Sequence, residues 1–283
     1  MKAKFLYLVM ILLGFMVTSC QKSTPLEDST IEAADDAVLA EAVFDDAFAS
    51  LEIATEIAED MKKSGSVVDS CPLITVTFPE QSPWPVNVVI DYGTGCTGLN
   101  DVVRSGKIIL TLSAPRTEVQ SERTLTFENY YVNGAKVEGT TVVTNTGPNN
   151  NSNVVFSVVL TGGKITFSDG KFIEREFERQ REYIEGYLTW WTPWDDKCLI
   201  TGVAAGTNLN GVSYTAVAVN PLEWQAACRF IVSGTIGFEI DGIEPFELDY
   251  GSGECDANAT LSRGDETKEI ILRYWHPKYP PGK

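Results

Sequence analysis

RTLTFENYYV-NG-AKVEGTTVV, residues 123–143, is the stretch that decides the fold class. β-Branched and aromatic residues recur with a period of two on both sides of Asn133-Gly134, the dipeptide that a two-residue hairpin turn demands. The same texture runs outward in both directions, through IILTLS before it and NVVFSVVL and SYTAVAV after it. Gly162-Gly163, Asp169-Gly170, Asn210-Gly211 and Asp241-Gly242 supply further turn pairs. KFIEREFERQREYIEGY, residues 171–187, has the charge of a helix but alternates like a strand and starts beside Asp169-Gly170, so it reads as a long hairpin strand. The expectation is a mainly β fold, an antiparallel meander over 65–283. About a dozen strands do not stay one flat sheet, so it should be a sandwich, a half-open barrel wrapped on a helix, or two sheets end to end.

Upstream the period changes to 3.6. Ala37, Ala40, Phe44, Ala47, Phe48, Leu51, Ala54, Ala58 and Met61 mark one N-terminal α-helix over 31–64. Ser29 with Glu32 forms a capping box, Lys62 and Lys63 lie at the C-terminal end, and Gly65 stops it. Twelve acidic residues and no basic one fall between Glu27 and Asp60. They read as a solvated face above an apolar stripe, or as a docking or cation-attracting stalk.

Residues 1–19 form a signal peptide. Met1 to Lys4 are basic, and the 13 apolar residues from Phe5 to Val17 fall short of the ~20 that a membrane-spanning helix needs. Val17-Thr18-Ser19-Cys20 resembles a lipobox, which implies cleavage before Cys20 and acylation of its thiol and new amino terminus. Residues 20–30 are then a lipidated tether, and Gln21 after the cysteine favours the outer membrane, facing the periplasm or the surface.

The 39 acidic against 22 basic residues, a net charge of −17, exclude nucleic acid as a partner. The only histidine is His276, and no Gly-x-Ser-x-Gly, Cys-x-x-Cys or phosphate-cradling glycine loop occurs, so no catalytic residue, cofactor or metal is expected. YLTWWTPWDD nominates Trp190, Trp191, Trp194 and Asp195 as a ligand site suited to a glycan. Asp195 with Asp196 would be the acid pair of a glycosidase, whereas the ordinary role of such tryptophans is core filling. Asp91 and Asp101 around a glycine turn have too few acids for a calcium loop and read as turn stabilisers.

An internal echo narrows the cysteine pairing. Asp91-Tyr92-Gly93-Thr94-Gly95-Cys96 recurs as Asp249-Tyr250-Gly251-Ser252-Gly253-Glu254-Cys255, and Cys71 and Cys228 precede the copies at similar distances, within hairpin units 71–112 and 228–275. In a two-residue hairpin, opposed positions have a constant sum. Cys228 and Cys255 share 483 with Asp241-Gly242, and Cys71 and Cys96 share 167 with Pro83-Trp84. The expected disulfides are Cys71 to Cys96 and Cys228 to Cys255, which leaves Cys198 a reduced, buried thiol.

The lipobox, the acidic helix, DYGTGCTG followed by RSGKIIL, FENYYVNGAKVEGT, DDKCLITG and CRFIVSGT running to DYGSGECD together resemble a family of uncharacterised Bacteroidota-type lipoproteins over nearly the whole chain. The resemblance implies an acylated envelope lipoprotein and brings no assigned activity. The expected role is non-catalytic binding or envelope interaction, with outer-membrane lipid as partner through Cys20 and a glycan or an envelope protein as ligand. The alternatives are a glycan-cleaving protein and a periplasmic carrier whose curved sheet cups a lipid.

Overall fold

The computed structural model describes residues 28–61, 65–68, 71–98, 102–187, 189, 193–228 and 230–272. Among the described residues, one α-helix, α1 (Asp28–Asp60), precedes fifteen strands. They are β1 (Gly65–Val68), β2 (Leu73–Thr77), β3 (Val86–Asp91), β4 (Cys96–Thr97), β5 (Val103–Leu112), β6 (Glu122–Val132), β7 (Ala135–Pro148) and β8 (Val154–Thr166). There follow β9 (Phe172–Glu185), β10 (Lys197–Thr207), β11 (Ser213–Gln225), β12 (Ile231–Ile240), β13 (Ile243–Ser252), β14 (Asn258–Arg263) and β15 (Glu266–Ile271). All except β4, which pairs only with β5, follow one another across a single antiparallel sheet with β1 and β15 at its edges. The expected meander is therefore present as one open sheet rather than two packed layers.

The sheet curls around the helix. Asp45 and Asp46 are adjacent on α1, yet Asp45 pairs with Arg181 of β9 and Asp46 with Arg104 of β5, four strands away in the sheet. Successive helix residues point about 100° apart, so this requires β-structure on two sides of the helix. Close approach is allowed by small side chains. Ala34, Ala40, Ala54 and Ala58 are fully buried, and a side chain at Gly163 would strike the carbonyl of Arg175 at 2.3 Å and the Phe44 ring at 3.0 Å. Leu51, Phe44 and Phe48 on the helix and Ile90, Ile108, Leu110, Leu125, Phe156 and Leu160 on the strands belong to one buried cluster.

Several expectations need correction. Ser29 lies inside α1, which ends at Asp60 and not near residue 64; Lys62 and Lys63 fall outside the described residues. Gly162-Gly163 is not a turn but a register irregularity within β8, where a glycine is needed for the helix to pass. The acidic face is not solvated as a whole: Glu41, Asp45, Asp46, Glu52, Glu56 and Glu59 pair with arginines of the sheet and its loops, while Glu32 and Asp60 are exposed.

The repeat holds in three dimensions. Asp91 and Asp249 each accept the N–H two residues on, from Gly93 and Gly251, at 2.8 Å. Both glycines have positive φ (56° and 91°), and the intervening Tyr92 and Tyr250 are buried. Each Asp thus closes a local turn, as expected for Asp91, while Asp101 lies outside the described residues. Both disulfides form, with Cα separations of 5.8 Å (Cys71–Cys96) and 5.7 Å (Cys228–Cys255), and Cys198 is free and buried. The registers differ from the simple sums. Residues 78–85 separate β2 from β3, so Ile74 faces Ile90 and the sum is 164 rather than 167. In the second copy Ile240 faces Ile243, at 483, but irregularities move Ser233 opposite Ser252, at 485.

Candidate functional site

The two ends of the sheet differ. In a meander, alternate connections share an end, so the tight turns 133–134, 241–242 and 264–265 lie together with 208–212. The helix N-terminal half is at this end, where Asp36, buried, accepts the Leu209 N–H at 3.0 Å. Links 78–85, 113–121 and 186–196 lie at the opposite end, beside the helix C-terminal half. There Glu59 accepts the Arg116 backbone N–H at 2.5 Å, and Glu56 pairs with the Arg116 guanidinium at 3.0 Å.

This far end carries the sequence-nominated residues that are described. Trp194 is 73% exposed in a short 3-10 turn, Pro193–Asp195. For this residue the core-filling role is overturned, because the turn lifts its ring away from the sheet. Asp195 is exposed as well, with both carboxylate oxygens 2.9 Å from the Thr189 hydroxyl. Trp84 instead packs partly buried against the core. Trp190, Trp191, Cys20 and His276 lie outside the described residues.

Asp196 points elsewhere than Asp195. Gly186 has φ 86°, and a side chain there would lie 2.4 Å from Asp196 Oδ1, so glycine alone lets the loop fold back on itself. The Asp196 carbonyl then accepts the Ala226 N–H at 2.9 Å, tying this loop to the next. Burial, with neighbouring Asp195 adding to it, pushes the Asp196 carboxyl up to about 6. Beneath the loops, the Tyr187 ring packs at a tilt against Tyr183 and Phe156, with centroids 4.9 and 5.4 Å apart, and the Arg116 guanidinium lies 5.4 Å over the Tyr187 ring. Around Arg116 stand Glu52, Glu56 and Glu59. An exposed indole beside an exposed carboxylate suits the C–H face and hydroxyls of a sugar, and the surplus of carboxylates disfavours an anionic ligand.

A second constellation was missed in the sequence reading. Glu41 pairs with both Arg175 and Arg179, Asp45 with Arg181 at 2.5 Å, and Glu52 with Arg123 at 2.8 Å. The Arg123 and Arg175 side chains are 2% exposed. Burial alone would raise the Glu41 carboxyl, but Arg179 and Arg175 outweigh it and hold the group well below the usual carboxylate range. The readable signal was parity. Arg175, Arg179 and Arg181 share odd positions with Ile173, Phe177 and Tyr183, all buried, while Glu174, Glu176, Glu178 and Glu182 occupy the outward even positions. These arginines face the helix and serve the core rather than a ligand.

No protein-family model, curated protein or solved structure matches this chain.

Proposed function

We propose that the protein is an acylated outer-membrane lipoprotein with a non-catalytic binding role, which presents its ligand site at the end of the sheet remote from its lipid. The observation that carries this reading is polarity along α1. Its N-terminal half, which follows the tether from Cys20, lies with the tight turns, and exposed Trp194 with Asp195 lies at the other end. A 33-residue helix is about 50 Å long, so an anchor at Cys20 would leave the far end free of the bilayer. A glycan is the ligand class that the Trp194–Asp195 pair favours. The lipid-carrier alternative gains no support, because α1 fills the concave face that would cup the lipid.

Two measurements test this. Cys20→Ala should move the protein from the membrane to the soluble fraction and remove its acyl mass; full retention in membranes overturns the anchor. On a glycan array, wild type should bind a subset of neutral glycans, and Trp194→Ala should bind them ~10-fold more weakly, the equivalent of ~1.4 kcal/mol. Equal binding by a folded Trp194→Ala variant removes Trp194 from the site.

A further inference from the structure

We propose that the outer face of the sheet over β11 to β14 is a docking groove for an extended, basic segment of a partner protein. This face is on the opposite side of the sheet from α1, and the groove, about 420 Å³, is independent of the far-end site. It arises from a missing side chain. Across the strands Val217 faces Gly237, Gly237 faces Glu247, and Glu247 faces Ser262. Side chains along such a row point the same way, so Gly237 leaves a trough between Val217 and Glu247, with Pro245 along its side. Gly237 is not required for its backbone angles; a Cβ there would sit 3.0 Å from Val219 Cγ2.

The lining sets the chemistry of the occupant. Glu239 and Glu247 reach the groove, and among the described residues neither has a cation within ion-pair distance. Arg263, the lining cation, is already engaged by Glu244 at 3.8 Å and Glu266 at 3.7 Å. The groove opens onto an apolar strip, Val203, Val217 and Val219, which are 39%, 45% and 53% exposed. Beyond it comes the outward row of β9, since Glu178 faces Val203 and Val203 faces Val217. An apolar strip with carboxylates on both sides matches an extended segment that lays its apolar side chains on the strip, while its lysines, on the other face, reach round its edges to the carboxylates on their flexible four-carbon stems. Charge complementarity selects among occupants: anionic lipid and nucleic acid are repelled, and a second copy would set glutamate against glutamate.

The probe is a labelled KVKVKVK peptide titrated into the full chain and followed by fluorescence anisotropy. Wild type should bind it, rising salt should weaken binding, and an EVEVEVE peptide should not bind. Glu239→Gln/Glu247→Gln keeps the shape of both side chains and should weaken binding by about tenfold or more. Gly237→Val fills the trough and should abolish binding while circular dichroism shows a folded chain, the exposed Val219 side chain giving way to the new one, whereas Trp194→Ala should have no effect. Should Gly237→Val prove unfolded, the glutamine pair alone decides. The proposal is overturned by equal binding of the two peptides, by wild-type affinity in the glutamine pair, or by no binding of KVKVKVK to wild type at about 1 mM, a limit beyond which the affinity is weaker than ~4 kcal/mol.

Discussion

Replacing Glu41 by Gln tests whether the helix is held in the sheet by charge as well as by packing. The side chain is 10% exposed and lies between Arg175 and Arg179, which are 2% and 8% exposed. Its two oxygens accept bonds from Arg175 Nη2 and from both terminal nitrogens of Arg179. Glutamine keeps the volume but leaves two buried guanidinium groups facing one neutral carbonyl oxygen. Tyr214, whose hydroxyl is 3.0 Å from Arg175 Nη1, offers a dipole and no charge. Stranding one buried charge costs about 3–5 kcal/mol, which is about a fifth or more of the stability of an ordinary domain at ~5–15 kcal/mol. The assay is equilibrium unfolding in urea, because guanidinium chloride would screen the charges being measured. Glu178→Gln, on the outward face of the same strand, is the control and should stay within about 0.5 kcal/mol of wild type. Combining Glu41→Leu with Arg175→Leu and Arg179→Met should recover much of the loss, since apolar replacement of a whole buried ionic group is often neutral. If Glu41→Gln costs less than about 1 kcal/mol, like its control, the network does not hold the helix.

Stability should pass through a maximum on acidification. Burial pushes the Asp36 and Asp196 carboxyls up from 3.8 to about 6, so the folded chain keeps protons that the unfolded chain releases. Their contribution is fully present below the unfolded value and is lost as pH rises through about 6, so the urea midpoint should rise between about pH 7 and 5. Glu41 is the reverse: its lowered carboxyl stabilises above the unfolded value of 4.5 and loses that contribution as pH falls through the folded value. A midpoint that falls steadily from about pH 7 to 5 contradicts this. Non-reducing peptide mapping should recover Cys71 linked to Cys96 and Cys228 linked to Cys255. Cys198, whose thiol burial pushes up to about 12, should resist iodoacetamide in the native protein and react in urea; any peptide linking it to another cysteine is the contrary result.

Strand identity was legible because side-chain alternation is local. KFIEREFERQREYIEGY contains β9 (Phe172–Glu185) despite its helix-like charge, and the four turn pairs other than Gly162-Gly163 all connect strands. Disulfide pairing was legible because a duplicated unit must solve the same closure twice. Register was not, since Ser82-Pro83-Trp84-Pro85 imitates a tight turn within the longer link 78–85, and no local rule shows where β12 and β13 slip. At the candidate site, composition pointed to Trp194 and Asp195, but their exposure depends on Gly186 folding the loop over Asp196. The groove had no signal at all, because a glycine becomes a trough only once its cross-strand neighbours are known.

The acidic helix shows why a sound local rule failed. Acids opposite an apolar stripe face water when a helix lies on a flat surface, but a curled sheet leaves little of the helix facing water. Its acids then need buried partners, and β9 supplied the evidence by placing arginines on the parity of Ile173 and Phe177. Apolar packing alone resists sliding of a helix along its axis only weakly, since one alanine fits much like the next. Charge pairs fix the axial position, because Glu41, Asp46, Glu52 and Glu59 each meet an arginine at a different level along the helix. The N-terminal helix is thus the element around which the sheet is ordered. Force or displacement entering at its N-terminus meets Asp36 and Glu41 first, and only afterwards the loops that carry Trp194.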